Sequence, residues 1–212
     1  MGIAMDMVFG SGKILFLGPE DAPLIPWLEA QGEKLVHTSQ RVCLQDIKGK
    51  GYTFLISYGY RYILTQDILD LFPRRAINLH ISYLPWNRGA DPNFWSFVEN
   101  TPKGVTIHYL DRGVDTGDII DQTRVLFHEP HETLATSYAH LHRAIQALFK
   151  VHWPRIKAGT CPWKRQEGKG SAHRVKDKDA LSWLLYRGWD TPVSLLTRED
   201  HINKTAHDPI LA

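Results

Sequence analysis

The sequence predicts an α/β fold, with a mainly parallel sheet flanked by helices. Three observations carry this. Short apolar runs alternate with amphipathic stretches through the first half of the chain, the pattern of strands joined by helical crossovers. One long segment, residues 133–156, repeats apolar residues at three and four positions. The composition, 43% hydrophobic, 11% aromatic and 23% charged over 212 residues, is that of a soluble globule able to bury a core without disulfide or metal staples.

Lys13 to Gly18 (KILFLG) is apolar, ends in glycine and reads as a buried strand. A helix follows within Pro19 to Gly32, where Leu24, Trp27 and Leu28 have helical spacing and Pro23 and Pro26 suit only its start. Lys34 to Thr38 is a second strand, and Tyr52 to Tyr58, rich in aromatic and β-branched residues, a third. Gln66 to Phe72 is a short helix with Thr65 as N-cap, stopped by Pro73, and Ala76 to Ile81 is a fourth strand. Asp91 to Glu99 is helical, with Phe94, Phe97 and Val98 on one face. Gly104 to Leu110 alternates like a half-buried strand, and Ile119 to Phe127 is its partner across the turn at Gly113–Gly117. Thr133 to Ile156 presents Leu134, Tyr138, Leu141, Ile145, Leu148 and Phe149 as one apolar helical face.

The last third differs. Lys150 to Lys178 holds nine Lys/Arg against two Asp/Glu with three glycines, and reads as loop, either solvated surface or a patch for an anionic substrate. Asp177 to Tyr186 is a short final helix. The last twenty residues show little pattern and are expected to be mobile. Met1 to Gly12 has no basic segment followed by an apolar one, and reads as a lead-in rather than a signal peptide.

The formal net charge is +2, from 25 Lys+Arg against 23 Asp+Glu, which advertises neither nucleic acid nor an anionic membrane. No apolar run is long enough to span a bilayer. The two cysteines, Cys43 and Cys161, fit no zinc or redox spacing and read as reduced thiols of a cytoplasmic protein. The eleven histidines include no H-E-x-x-H pair.

The chemistry concentrates in residues 78–121. Asn78 and His80 stand two apart at the end of a predicted strand, so both point to one face, and strand carboxyl ends are where open α/β sheets bind ligands. Asp111 to Asp118 packs three aspartates and two glycines into eight residues, a tight loop that a planar ligand could approach. An amide and an imidazole can stabilise a developing oxyanion, while a carboxylate holds the imidazole and accepts a proton from an attacking amine. On the residues alone, a satisfied core histidine and a turn aspartate are the competing reading.

The stretch N-L-H-I-S-Y-L-P, then R-G, then G-V-T-I-H, then D-R-G-V-D-T-G-D-I-I resembles the folate-dependent formyltransferase family over residues 13–156. That family includes the methionyl-tRNA, glycinamide ribonucleotide and sugar N-formyltransferases. The resemblance implies a Rossmann-like catalytic domain over 13–158, followed by a loop-rich extension over 159–212. It implies N10-formyltetrahydrofolate as donor, no metal, and a primary amine as acceptor. It assigns Asn78 and His80 to the tetrahedral oxyanion and Asp115 to proton transfer, with Asp118 structural. The donor's ring would lie on the loop of Ser57, Tyr58, Gly59, Tyr60, Arg61, Tyr62 and Ile63, with Gly113 and Val114 as the other wall.

About 55 residues follow the long helix, fewer than the barrel domain of the tRNA enzyme needs, which together with the modest charge argues against a nucleic-acid substrate. The loop W-N-R-G-A-D-P-N-F-W is closest to the sugar enzymes. Trp86, Phe94 and Trp95 could stack on a sugar or base, Arg88 could pair with a phosphate, and Ser82 completes the expected acceptor set. Core packing is the alternative for the aromatics, and a structural ion pair for Arg88. The leading acceptor is therefore an amino sugar, free or nucleotide-linked. The alternatives are transfer to glycinamide ribonucleotide or methionyl-tRNA, hydrolysis of formyltetrahydrofolate, and a non-enzymatic folate-binding module. The half before Tyr58 is shorter than in other relatives by about one βα unit of about 30 residues. A sheet edge so trimmed would favour cover by a second subunit, hence a homodimer.

Overall fold

The computed structural model describes residues 12–127 and 131–196, and the chain forms two compact units that meet between Asn78 and Leu79. The lead-in over residues 1–11 and the end of the chain from 197 lie outside the described residues.

The first unit runs β1 (Lys13–Leu17), α1 (Leu24–Ala30), β2 (Leu35–Thr38), α2 (Leu44–Ile47), β3 (Tyr52–Ser57), α3 (Gln66–Leu69) and β4 (Ala76–His80), the last carrying the chain into the second unit. Its strands are parallel in the order β2-β1-β3-β4. Ile14 to Leu17 and Phe54 to Ser57 are buried without alternation, as in parallel strands covered on both faces. In α1, Leu24, Ile25 and Leu28 face inward, and Pro26 falls in the first turn, where no intrahelical N–H bond is lost. The turn α2 has no counterpart in the sequence pattern. It forms because the Asp46 carboxylate accepts from Cys43 N at 2.7 Å, a cap that periodicity does not register. α3 ends at Leu69, short of the expected Phe72, and Thr65 occupies the N-cap without a side-chain capping bond.

The second unit contains β5 (Arg88–Gly89), α4 (Pro92–Val98), β6 (Gly104–Tyr109), β7 (Ile119–Arg124), α5 (Leu134–Lys157) and β8 (Ala172–His173). β6 and β7 are antiparallel, while the two-residue strands β5 and β8 pair in parallel. β6 and β7 complete, with β1–β4, a mixed six-stranded sheet, so the α/β expectation holds. All six residues of β6 are buried, where alternation predicted a half-buried strand. α5 packs on β6 and β7, and Thr106 turns inward to bond Ser82 O and Leu84 N.

Helix α5 starts at Thr133, whose hydroxyl accepts from Thr136 N while Thr136 Oγ1 accepts from Thr133 N. Its buried face is Leu134, Ser137, Leu141, Ile145, Phe149, Trp153 and Ile156. Tyr138, expected in that face, is 40% exposed, its ring against His142 and Trp189. Ser137 is buried in its place because its hydroxyl bonds Asn93 Oδ1, and Asn93 Nδ2 in turn bonds Leu134 O, which ties α4 to α5. Residues 150–156, where the expected helix and the basic stretch read as loop overlap, are helical, and the helix runs on to Lys157.

Beyond α5 the chain is more ordered than its composition suggests. The expected final helix is a run of 3-10 turns over Val175–Leu185, begun by a carboxylate cap in which Asp177 Oδ2 accepts from Arg174 N at 2.6 Å. Leu184, Val193 and Leu196 join Phe94, Trp95, Phe97 and Leu134 in one apolar cluster.

Burial holds the His142 imidazole down at about 4. The unfolded chain therefore takes up a proton below about pH 6.5 that the native state refuses, and stability falls as pH drops from there towards 4. Urea midpoints measured between about pH 7 and about pH 4.5 should fall more steeply in the natural chain than in His142→Phe.

Candidate active site

The carboxyl ends of β3 and β4 lie side by side in the first unit, with Ser57 and Asn78 as register partners. Alternation along β4 then sets Asn78 and His80 on the same face. The segment after Ser57 turns through Gly59 at φ +69°. The main-chain N–H and C=O groups of residues 59–63 bond no other backbone group among the described residues, so they offer a free polar edge. The Tyr60 hydroxyl donates to Gln40 O at 2.9 Å and accepts from Val42 N at 3.0 Å, which fixes its ring, set edge-on to Tyr62. Tyr58 is buried against Phe16, while Arg61, Tyr62 and Ile63 are exposed.

In the second unit Asp115 sits between two imidazoles. His80 Nδ1 is 3.6 Å from Asp115 Oδ2, and His108 Nε2 is 3.4 Å from Oδ1. Gly89 N donates to Oδ2 at 2.8 Å. Both histidines are buried and meet a backbone carbonyl with their other nitrogen: His80 Nε2 lies 3.1 Å from Asn87 O, and His108 Nδ1 2.8 Å from Tyr109 O. A carbonyl only accepts, so those nitrogens carry the proton. The nitrogens facing Asp115 are then the basic ones, and either can donate to the carboxylate only when its ring holds a second proton.

Burial alone would raise Asp115, but His80, His108 and the Gly89 N–H outweigh it and hold the carboxyl well below the usual carboxylate range. Burial lowers His80, more than the Asp115 charge and the Asn87 carbonyl raise it, and His108 adds to the lowering. The resting centre is thus an ionised carboxylate beside a neutral His80. It can take a proton from an incoming ammonium group and share it with an imidazole.

Asn87 is the hub behind His80. Fully buried and left-handed at φ +54°, it donates Nδ2 to Thr101 Oγ1 at 2.8 Å and accepts at Oδ1 from Ser171 Oγ at 3.2 Å, while its N donates to the same hydroxyl at 3.0 Å. Gly89 takes φ +85°, and a Cβ there would lie 2.3 Å from His173 O, so only glycine fits beside β8.

The remaining expected residues are placed as follows. In the acceptor set, Ser82 is buried with Oγ on Trp86 O at 2.6 Å, and Trp86 and Arg88 are partly exposed. Phe94 and Trp95 are buried at 4% and 7%, and Trp95 stacks on His173 with ring centres 3.9 Å apart, so little of either ring is open to a ligand. Arg88 pairs with an amide rather than a carboxylate, donating from Nε and Nη2 to Gln166 Oε1 at 3.0 and 2.7 Å. Val114 is exposed, and Gly113 closes the turn by donating to Asp111 Oδ1 at 3.0 Å. Sequence reasoning missed His108, Asn87 and Gln166. His108 stood within a quoted motif, and alternation along β6 puts it on the face of Thr106, whereas nothing local marks Asn87 or Gln166.

The family profile described as formyl transferase matches residues 28–151. The formyltransferase PseJ from Anoxybacillus kamchatkensis, solved with UDP-4,6-dideoxy-4-formamido-L-AltNAc and tetrahydrofolate, is 49% identical; the match covers 87% of this chain and 97% of that one at a TM-score of 0.84. A 4-N formyltransferase from Francisella tularensis is 21% identical over 81% of this chain and 79% of that one, with a TM-score of 0.71. An N-formyltransferase from Helicobacter canadensis, solved with folinic acid and dTDP-3-aminofucose, is 19% identical over 78% and 71%, with a TM-score of 0.68.

Removing the His108 contact should let the Asp115 carboxyl move up. Carbon-detected NMR titration of the side-chain carboxyl should show a higher midpoint in His108→Gln and no change in His142→Gln.

Proposed function

Since the chain belongs to the formyl transferase family, we propose that it transfers the formyl group of N10-formyltetrahydrofolate to the amine of a nucleotide-linked amino sugar. The observation that carries this reading is the buried Asp115 carboxylate held ionised between His80 and His108, with Asn78 on the same strand face as His80. The sugar class follows from PseJ, whose reported ligands are a UDP-linked formamido sugar and tetrahydrofolate and whose chain is matched over nearly its whole length. A UDP-linked 4-amino sugar is accordingly the first acceptor to test.

The donor supplies an activated formyl carbon. The free main-chain edge of residues 59–63 fits a flat heterocycle bearing donors and acceptors, so the loop from Ser57 to Ile63 is the proposed donor-binding segment of the first unit; Gly113 and Val114 are the donor contacts that the family resemblance proposes within the second. Asn78 donates its side-chain N–H to the oxygen that gains negative charge, and His80 supports that charge once it is protonated. Asp115 accepts the proton that the attacking amine sheds and passes it to the imidazole nitrogen facing it, and the proton ends on the donor's amine nitrogen as the bond from that nitrogen to the formyl carbon breaks and tetrahydrofolate departs. Trp86 and Arg88 are the proposed acceptor contacts. Ser82, Phe94 and Trp95 support the wall behind them.

We assign the catalytic domain to residues 13–158 and a C-terminal loop-rich extension to 159–212. We place the reaction in a reducing cytoplasm, where the free thiols Cys43 and Cys161 persist. Among the described residues no helix is long and apolar enough to cross a membrane. A nucleic-acid acceptor is not part of this reading. The edge strand β2, with Val36 37% exposed, is the proposed contact of a homodimer, which sedimentation equilibrium of the natural chain and of Val36→Lys tests.

With the donor and a panel of UDP- and dTDP-linked amino sugars, tetrahydrofolate release should match a mass gain of one formyl group on the sugar. Asp115→Asn should lower kcat by about 10³-fold or more while donor binding, followed by calorimetry, persists. Donor consumption without an acylated product would instead mark a hydrolase, and donor binding without turnover a binding module.

A further inference from the structure

We infer that Gln166, in the segment after α5, is a positioning residue for Asp115, and that its two amide protons hold the catalytic loop in register with β5. The inference rests on the reading of Asp115 as the proton-handling carboxylate.

Four hydrogen bonds converge on this one side chain. Nε2 donates to Asp115 O and to Gly117 O, both at 2.8 Å, and Oε1 accepts the two bonds from Arg88. The amide therefore uses both protons on the Asp115 loop and its oxygen on β5. That loop needs such a restraint. Asp115 is left-handed at φ +53°, a backbone conformation that L residues other than glycine adopt only under restraint. β5 is the other half of the same arrangement, because Gly89 N is the backbone donor to the Asp115 carboxylate. Gln166 thus ties the main chain of Asp115 to the residue next to the one that holds its side chain.

The segment that delivers Gln166 is itself anchored at both ends. Two residues earlier, Lys164 exchanges both backbone bonds with Ile119 at the start of β7, at 2.8 and 2.9 Å. Five residues later, Ser171 O accepts from Arg88 N, and its hydroxyl bonds Asn87, whose carbonyl holds His80. A shift of the segment would be felt at both catalytic side chains. A glutamine meets the geometry where lysine, arginine or glutamate would not, since two carbonyls must receive protons while one guanidinium is received in turn.

The test is Gln166→Glu, which keeps the length and the acceptor for Arg88 and removes both donors, compared with Gln166→Ala. In amide exchange followed by NMR, the Gly89 N–H should exchange about tenfold faster or more in Gln166→Glu, while the Arg88 and Ala90 N–H groups, which bond Ser171 O and His173 O, should keep their protection. In turnover, both variants should lose about 10–100-fold in kcat, and in Gln166→Glu, which keeps the acceptor for Arg88, KM for either substrate should stay within about threefold. Unchanged Gly89 exchange overturns the inference. So does loss of protection at all three amides together, which would report unpacking of the whole segment. So does a raised KM with kcat intact, which would place Gln166 in acceptor binding through Arg88. If Gly89 responds as expected but the natural chain transfers no formyl group to any acceptor, the functional reading fails and the clamp stands.

Discussion

A carboxylate almost sealed from water, between two imidazoles that each spend one nitrogen on a backbone carbonyl, organises the second unit. An isolated carboxylate buried to this degree would take up a proton, but here the Gly89 N–H donates to it at rest and either imidazole donates to it once its ring holds a second proton. Each partner needs its own support. His80 is held by Asn87, Asn87 by Thr101 and Ser171, and Gly89 by β8. The charge is local, yet the groups that make it tolerable come from β4, β5, β6 and the segment after the long helix. The left-handed backbone at Asn87 and Asp115 belongs to the same arrangement, since strained conformations persist only where the surroundings over-determine them.

How much of this is legible in the sequence depends on the range of the contact. The strands and long helices are legible because burial imposes a period on them: KILFL, YTFLIS and the α5 face each declare themselves. Asn78, His80 and Asp115 are legible through motif spacing, and the strand end places the first two as alternation requires. α2 is not, because a single carboxylate cap stabilises it. Phe94 and Trp95 look like ligand platforms, since an aromatic pair on a short helix reads alike whether it meets a sugar or a core. What decides it is the return of Leu184, Val193 and Leu196 from far along the chain.

The basic stretch from Lys150 to Lys178 teaches the same lesson from the other side. Its charge suggests solvated surface or an anion patch, and three glycines suggest a loop. The consequential residues within it are the uncharged Gln166 and Ser171, which satisfy polar groups on β5 and on the loop after β6. Hydrogen-bond complementarity of this kind leaves no periodic trace, because each partner is chosen by a group far away in the sequence.

The apolar cluster shared between α4 and the last described turns has an evolutionary corollary. Leu184, Val193 and Leu196 share one core with Phe94, Trp95 and Phe97, so the tail cannot drift or be exchanged as an independent module. Recombination that grafts a relative's tail onto this catalytic core would have to bring the matching α4 face with it.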